Sequence, residues 1–83
     1  MQVNLRFFAS LREALGAQRQ LELPEGATVA QARQTLIDLG DPYASVLAAD
    51  RAVRAALNQQ VCEGGAILSH GDELAFFPPV TGG

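Results

Sequence analysis

Two consecutive prolines, Pro78 and Pro79, divide this chain into a part that can form strands and helices and a part that cannot. A proline fixes φ and has no backbone N–H, so a Pro-Pro step stops a preceding strand and favours an extended polyproline conformation. We therefore expect residues 1–77 to fold as one domain and residues 78–83 to extend from it as a tail. A chain of 83 residues is long enough for one small domain and not for two.

The tail combines a stiff, apolar stem with a slim end. Phe76 and Phe77 precede the diproline, and Gly82 and Gly83 end the chain. Because glycine has no Cβ, this end of the backbone suits a channel too narrow for a side chain. We predict that the α-carboxylate of Gly83 is the functional group and that the tail carries it into another protein's active site. The alternative is a frayed terminus that happens to end in glycine.

The composition favours a globular domain that does not bind nucleic acid. Apolar residues make up 48% of the chain, which is enough for a core without metals or disulfides. The formal net charge is −3 and there is no basic run, which argues against nucleic acid or an anionic membrane as a partner. A basic partner surface fits this charge better.

The cysteine content and the first residues indicate a cytoplasmic protein. Cys62 is the single cysteine, so neither a disulfide nor a four-cysteine metal site can form within the chain. Arg6, Arg12 and Glu13 interrupt any apolar stretch of the length that a signal peptide needs. No segment approaches the length of a membrane span. We therefore expect a reducing, cytoplasmic location.

Two capping boxes predict two helices. Ser10 with Glu13, and then Thr28 with Gln31, each combine a hydroxyl at the N-cap with a glutamate or glutamine at N3. The first helix is short. The second is the main helix and ends at Gly40, with four apolar residues at helical spacing: Val29, Ala32, Leu36 and Leu39.

Short apolar runs predict strands around these helices. The predicted strands comprise residues 2–7, 18–23, 53–57, 60–62 and 73–77, and residues 43–47 suggest a helical turn. The order is strand, short helix, strand, long helix, irregular segment and then three strands. This order predicts an α+β fold of the β-grasp, or ubiquitin-like, type. In that fold a mixed sheet packs on one main helix, and the first and last strands lie side by side at its centre.

Strand alternation separates core residues from exposed ones on the two central strands. If Phe76 faces the core with the alternating apolar residues of the first strand, Phe8 and Phe77 point to the opposite face. A pair of exposed aromatic residues is typical of a docking surface. We predict that Phe8 and Phe77 form a partner interface at the root of the tail. Val61 is a further neighbour in this interface, and Val80 extends the interface beyond the diproline. The alternative is that a helix or the irregular segment covers them.

The sequence contains no recognisable catalytic constellation. His70 is the single histidine and falls in a glycine-containing turn, where a solvated side chain is expected rather than a base or a metal ligand. Cys62 has no histidine or basic neighbour in sequence to lower its pKa, so an inert, partly buried thiol is expected. Gly64 and Gly65 lack the lysine and the helix of a phosphate-binding loop. We therefore expect no catalysis by this chain alone, no bound cofactor and no metal.

The residues around the tail resemble a known family. The resemblance lies in residues 71–73 (GDE) and 75–83 (AFFPPVTGG), with weaker matches at residues 7–9 (FFA), 12–13 (RE) and 56–59 (ALNQ). These segments are similar to the small subunit of molybdopterin synthase, the MoaD-type sulfur carrier. The resemblance spans the whole chain, and the tail motif is its most specific part.

The resemblance implies a function in molybdenum cofactor biosynthesis. An E1-like adenylyltransferase of the MoeB type would use ATP to adenylate the carboxylate of Gly83. A sulfurtransferase or cysteine desulfurase would then supply the sulfur of a thiocarboxylate. The charged carrier would bind the large synthase subunit, of the MoaE type, in a heterotetramer and donate sulfur to cyclic pyranopterin monophosphate, building the molybdopterin dithiolene. ATP is used by the activating partner rather than bound by this chain. The tail residues that would enter the partner are Pro78, Pro79, Val80, Thr81 and Gly82.

The residues are also compatible with three other functions. A thiamine-pathway sulfur carrier shares the fold and the Gly-Gly end, although the FFPP stem and the longer chain disfavour it. A protein modifier of the ubiquitin type shares the activation step and would be attached to lysines. A plain interaction domain with an unimportant tail belongs to a different class. The chain itself has no lysine, so an activated Gly83 would meet no lysine amine of its own.

Overall fold

A computed structural model describes residues 1–79 of the chain. The strands are β1 (Gln2–Phe7), β2 (Gln18–Glu22), β3 (Arg54–Leu57), β4 (Gln60–Cys62) and β5 (Glu73–Phe77). The helices are α1 (Ser10–Leu15), α2 (Val29–Asp38) and the single turn α3 (Tyr43–Val46). These bounds confirm the predicted order of elements, with β2 ending one residue earlier and β3 beginning one residue later than predicted. Within the described range, no helix has the length and apolar character that crossing a membrane requires.

The five strands form one mixed sheet in the order β2-β1-β5-β3-β4. β1 and β5 are parallel neighbours at its centre, which confirms the arrangement predicted from the sequence. The other three pairings are antiparallel, and β2 and β4 form the two edges. Residues of α2 pack into the core with residues of the central strands. The architecture is therefore the predicted α+β fold of the ubiquitin-like β-grasp type.

The core lies between α2 and one face of the sheet. Val3, Leu5 and Phe7 alternate along β1 and are each at most 1% exposed. Phe7 lies opposite Phe76 in the β1–β5 register, and their stacked rings have centroids 6.2 Å apart. Burial of one such phenylalanine contributes roughly 1.5–3 kcal/mol. This contact sets the register of β5, with Phe76 inward and its sequence neighbours outward.

The main helix, α2, begins as the sequence predicts. Thr28 Oγ1 accepts a hydrogen bond from the Gln31 N–H (3.2 Å), and Gln31 Oε1 accepts one from the Thr28 N–H (2.8 Å), which completes the capping box. Of the four apolar residues at helical spacing, Val29, Ala32 and Leu36 are buried, whereas Leu39 is 51% exposed. Leu39 is the C-cap residue and the chain turns at Gly40, where φ is 89°, so helical spacing overstates its burial.

The capping box predicted for α1 from Ser10 and Glu13 does not form. The helix begins at Ser10 itself, so Ala9 is the N-cap residue and no side chain caps the helix. Ala9 has a φ of 54°, in a region that residues other than glycine seldom adopt. The turn at Ala9 lets the carbonyl of Phe8 accept a hydrogen bond from the Leu11 N–H (3.2 Å). The Glu13 N–H, which the Ser10 hydroxyl was expected to cap, donates instead to the carbonyl of Ala9 (3.2 Å).

A two-residue hairpin joins β3 to β4. Its residues, Asn58 and Gln59, have φ values of 49° and 71°, as a tight hairpin turn of this length needs. The Asn58 side chain also ties the turn to the start of β5. Its Oδ1 accepts from the Glu73 N–H (3.0 Å), and its Nδ2 donates to Asp72 Oδ1 (3.1 Å). These bonds tie the β3–β4 turn to the start of β5.

Candidate functional site

The face of the sheet opposite α2 carries the exposed residues of β1, and we call it the open face. Gln2, Asn4 and Arg6 alternate on it with the buried residues of the same strand. The part formed by β1 and β2 is polar, and Gln20 Nε2 donates a hydrogen bond there to Asn4 Oδ1 (3.2 Å). The part formed by β5, β3 and β4 carries apolar side chains, with the charged residues Glu73 and Arg54 at its margins. The open face is thus divided along the centre of the sheet.

An apolar patch occupies the second part of the open face. It consists of Phe8, Ala56, Val61, Ala75 and Phe77. The strand register places Ala56 between Ala75 of β5 and Val61 of β4. The two alanines are only 9% and 8% exposed, whereas Val61 is 63% exposed. The patch is therefore shallow at its centre, with larger side chains around it.

Phe8 and Phe77 lie side by side where β1 and β5 end. The N–H of Phe8 donates to the carbonyl of Phe76 (3.2 Å), which continues the parallel pairing by one residue. Phe8 is 42% exposed and Phe77 is half-buried. The carbonyl of Phe8 also accepts from the Leu11 N–H, so the sheet and α1 both hold this residue. The structure brings Phe8 and Phe77 together, as strand alternation predicts, and their role in an interface stays a prediction.

Arg6 connects the apolar patch to the polar part of the open face. Its Nη1 lies 3.6 Å from Glu73 Oε1, and its guanidinium carbon lies 5.7 Å from the centroid of the Phe8 ring. The second distance is within the range of a cation–π contact. A second arginine, Arg54, lies next to Phe77 in the β3–β5 register. Strand alternation within β1 predicts the face of Arg6. The placement of Arg54 was not predicted, because it depends on the pairing of β3 with β5.

The tail starts at the apolar patch. β5 ends at Phe77, and the next residues are Pro78, which is half-buried, and Pro79, which is exposed. The tail is therefore attached to the domain beside Phe8 and Phe77. The remaining predicted tail residues lie outside the described residues: Val80, Thr81, Gly82 and Gly83.

His70 and Cys62 lie at opposite ends of the central strands and form no shared site. His70 Nδ1 accepts a hydrogen bond from the N–H of Gln2, the first residue of β1 (3.0 Å). Cys62 pairs with Ala55, which lies opposite Phe76 near the end of β5. Burial raises the pKa of the Cys62 thiol, and a backbone hydrogen bond at Leu57 acts in the opposite direction. No group of three or more His, Cys, Asp or Glu side chains in residues 1–79 could hold a metal ion.

A cleft of about 440 Å³ lies on the helix-covered side, between α2 and the strands β3 and β4. Its lining includes Val29, Ile37, Val53, Cys62 and Phe76. Arg33 also lines the cleft. Its guanidinium donates to three backbone carbonyls: those of Leu47 (2.7 Å), Ala48 (2.6 Å) and Arg51 (2.9 Å). The Arg33 guanidinium is thus already bound within the chain, and Arg54, at the start of β3, lines the cleft as well.

Comparison with known proteins identifies the family. A family model described as the ThiS family matches residues 5–83. The chain belongs to the ThiS family. The molybdopterin synthase sulfur carrier subunit of Haemophilus influenzae is 40% identical over 82 residues, which cover 98% of this chain and 99% of that protein. The subunit of the same name from Escherichia coli is 38% identical over 81 residues, with the same coverage. These names confirm the resemblance that the tail motif predicts.

Solved structures of ThiS-like chains confirm the fold. The small archaeal modifier protein 1 of Haloferax volcanii matches with a TM-score of 0.78 and 28% identity, covering 95% of this chain and 98% of that chain. A chain from the complex of subunits 1 and 2 of the molybdopterin-converting factor of Helicobacter pylori 26695 matches with a TM-score of 0.71. The second match covers both chains completely at 23% identity, which supports the fold alone.

Proposed function

We propose that this chain is the sulfur carrier subunit of a molybdopterin synthase and that Gly83 carries the sulfur as a thiocarboxylate. The observation that carries this proposal is the position of the apolar patch, directly at the start of a proline-stiffened tail. Relatives that are 40% and 38% identical over nearly the whole chain bear the name of this subunit. Such a subunit supplies sulfur to an enzyme and is not catalytic alone.

The carboxylate of Gly83 needs activation because it is an anion without a leaving group. An E1-like adenylyltransferase uses ATP to form the acyl-adenylate and releases pyrophosphate. The terminal sulfur of a persulfide, held by a sulfurtransferase or cysteine desulfurase, attacks the acyl carbon and AMP leaves. A thiol then cleaves the sulfur–sulfur bond, and the thiocarboxylate remains on Gly83. The chemistry takes place on the partners, so this chain needs no cofactor or metal of its own.

Delivery of the sulfur requires docking on the large synthase subunit. The apolar patch binds that subunit, and the tail enters its active site. The sulfur attacks a side-chain carbon of cyclic pyranopterin monophosphate, and the carbon–oxygen bond at that carbon breaks. Water then cleaves the resulting thioester, which leaves the sulfur on the substrate and returns the carboxylate of Gly83. Two deliveries supply the two sulfurs of the dithiolene. We place these steps in the cytoplasm, where ATP is available and thiols stay reduced.

The first test removes Gly82 and Gly83 from the full chain. The truncated chain and the wild type are each incubated with ATP, the activating enzyme and a sulfur source, and intact masses are measured. Only the wild type should gain the mass of an oxygen-to-sulfur exchange, and only the wild type should then support dithiolene formation with the large subunit. Dithiolene formation by the truncated chain would show that the terminal carboxylate is not the sulfur carrier.

A second variant tests the slim end of the tail. Gly82→Phe should block entry into the partner's active site while leaving thermal stability unchanged, since residue 82 follows the last strand. Gly65→Phe is the matched control, because an added Cβ at Gly65 meets no atom within 4 Å and its backbone angles suit other residues. Normal sulfur transfer by Gly82→Phe would show that no narrow channel is involved.

A second candidate function is attachment to other proteins. The likeness to a protein named as a modifier, at 28% identity over 95% of the chain, favours this candidate. The acyl-adenylate of Gly83 could be attacked by a lysine amine of an acceptor, with AMP as the leaving group. Incubation with ATP, the activating enzyme and lysine-containing acceptor proteins should then give isopeptide adducts. If mass spectrometry finds thiocarboxylate and no adduct, the carrier function stands alone.

A further inference from the structure

A positive charge stands beside the aromatic pair of the proposed interface. Arg54 lies opposite Phe77 in the β3–β5 register, in strands about 4.8 Å apart. The next residue, Ala55, lies opposite Phe76 and belongs to the core. Because side chains alternate along a strand, the Arg54 side chain leaves β3 on the open face. Arg54 is exposed. Together with its neighbours Val53 and Ala55 it also borders the cleft on the helix-covered side.

The two arginines of the open face differ in their surroundings. Arg6 is paired with Glu73 at 3.6 Å and lies over the Phe8 ring. Among residues 1–79, ion pairs form at Arg6 and at the N-terminal amine, and Arg54 takes part in none. The net charge of the chain is −3, but the local charge of the surface next to Phe77 is therefore positive.

A partner that covers Phe77 must also accommodate Arg54. Removing a guanidinium group from water without a hydrogen-bond acceptor is strongly unfavourable. A carboxylate is the best match, because it accepts two parallel hydrogen bonds from the planar guanidinium and balances its charge. We infer that the large subunit presents a carboxylate to Arg54, directly beside its apolar contact with Phe77. This inference rests on the proposed function and gives the partner surface a definite chemistry: apolar with a local acidic group, rather than basic.

The test is a calorimetric titration of full-length variants with the large synthase subunit at low and at high salt. Arg54→Gln removes the charge and should lower the affinity about tenfold, and Arg54→Glu reverses it and should lower the affinity by about thirtyfold or more. Salt should weaken the binding of the wild type more than that of Arg54→Gln. Arg51→Gln and Arg51→Glu are matched controls, because Arg51 is exposed but lies before β3. Both controls should bind like the wild type.

Phe77→Ala separates the failure of this inference from the failure of the function on which it rests. If Phe77→Ala weakens binding while Arg54→Glu binds normally, the acidic contact is wrong and the docking face stands. If Phe77→Ala binds normally, the docking face itself is wrong. Equal losses in the Arg54 and Arg51 variants would show a general charge effect and would also overturn the inference. A defect of the Arg54 variants in adenylation, together with normal binding to the large subunit, would also overturn the inference.

Discussion

Two consecutive phenylalanines of β5 have opposite surroundings. Phe76 is 1% exposed and stacks on Phe7 in the core, whereas Phe77 is half-buried on the open face beside Phe8. Because side chains alternate along a strand, these two adjacent residues point to opposite faces of the sheet, one into the hydrophobic core and the other into the apolar patch. The same residue type therefore stabilises the fold on one face and stays partly exposed on the other.

The two faces also use arginine differently. On the helix-covered side, Arg33 donates to three backbone carbonyls of the irregular segment. Burial lowers the pKa of its guanidinium, and the charge of Asp50 acts in the opposite direction. On the open face, Arg54 forms no ion pair with any residue of the described range. Arg33 is thus satisfied within the chain, whereas Arg54 is exposed and has no ion-pair partner among residues 1–79.

The largest expected effect is a loss of stability in Phe76→Ala. The substitution leaves a cavity beside Phe7, and truncation of a buried phenylalanine lowers the free energy of unfolding by about 3–5 kcal/mol. Urea denaturation followed by circular dichroism measures this change. Phe77→Ala is the matched control and should lower the free energy of unfolding much less. If Phe77→Ala unfolded the domain while Phe76→Ala stayed stable, the assignment of the two faces would be wrong by one residue.

The next effect concerns binding rather than stability. Phe77→Ala removes a central apolar contact of the proposed interface and should cost about 2 kcal/mol, a loss of about thirtyfold in affinity for the large subunit. A titration with that subunit measures it. Leu39→Ala is the control, because Leu39 is 51% exposed but lies at the end of α2, outside the apolar patch. Equal losses in both variants would mean that the patch has no special role in docking.

Sequence patterns predicted those parts of the fold that depend on near neighbours. Alternation in β1 and β5 separated Phe7 from Phe8 and Phe76 from Phe77, because each side chain's face follows from its position along one strand. The capping box at Thr28 formed because both of its bonds lie within the first turn of α2. The element order then led to the correct sheet, with β1 and β5 at its centre.

Sequence patterns failed where the structure depends on an unusual backbone conformation or on the pairing of strands that are distant in sequence. Ser10 has the residue type and spacing of an N-cap, but the positive φ of Ala9 moves the helix start by one residue. The placement of Ala56 and Arg54 on the open face follows from the pairing of β3 with β5, which no local pattern encodes. The role of Gly83 was predicted from sequence alone and stays a prediction, because that residue lies outside the described range.

A smaller effect is expected at the two helix starts, whose capping residues behave differently. Thr28→Ala removes the acceptor of the Gln31 N–H and should lower the free energy of unfolding by about 1 kcal/mol. Ser10→Ala is its matched control and should change little, since the side chain of Ser10 caps no N–H of α1. Urea denaturation of both variants measures the difference. Equal losses would mean that the Ser10 hydroxyl contributes to the start of α1 after all.

The smallest effect is a pH dependence of stability that arises from Cys62 on the helix-covered side. Burial raises the pKa of its thiol in the folded state, so folding favours the protonated form. The stability that this contributes is fully present below the unfolded-state pKa and is lost as the pH rises through the folded-state pKa. Urea denaturation across the alkaline range should therefore show the free energy of unfolding falling more steeply in the wild type than in Cys62→Ala. Identical slopes for the two proteins would mean that the thiol is equally easy to ionise in both states.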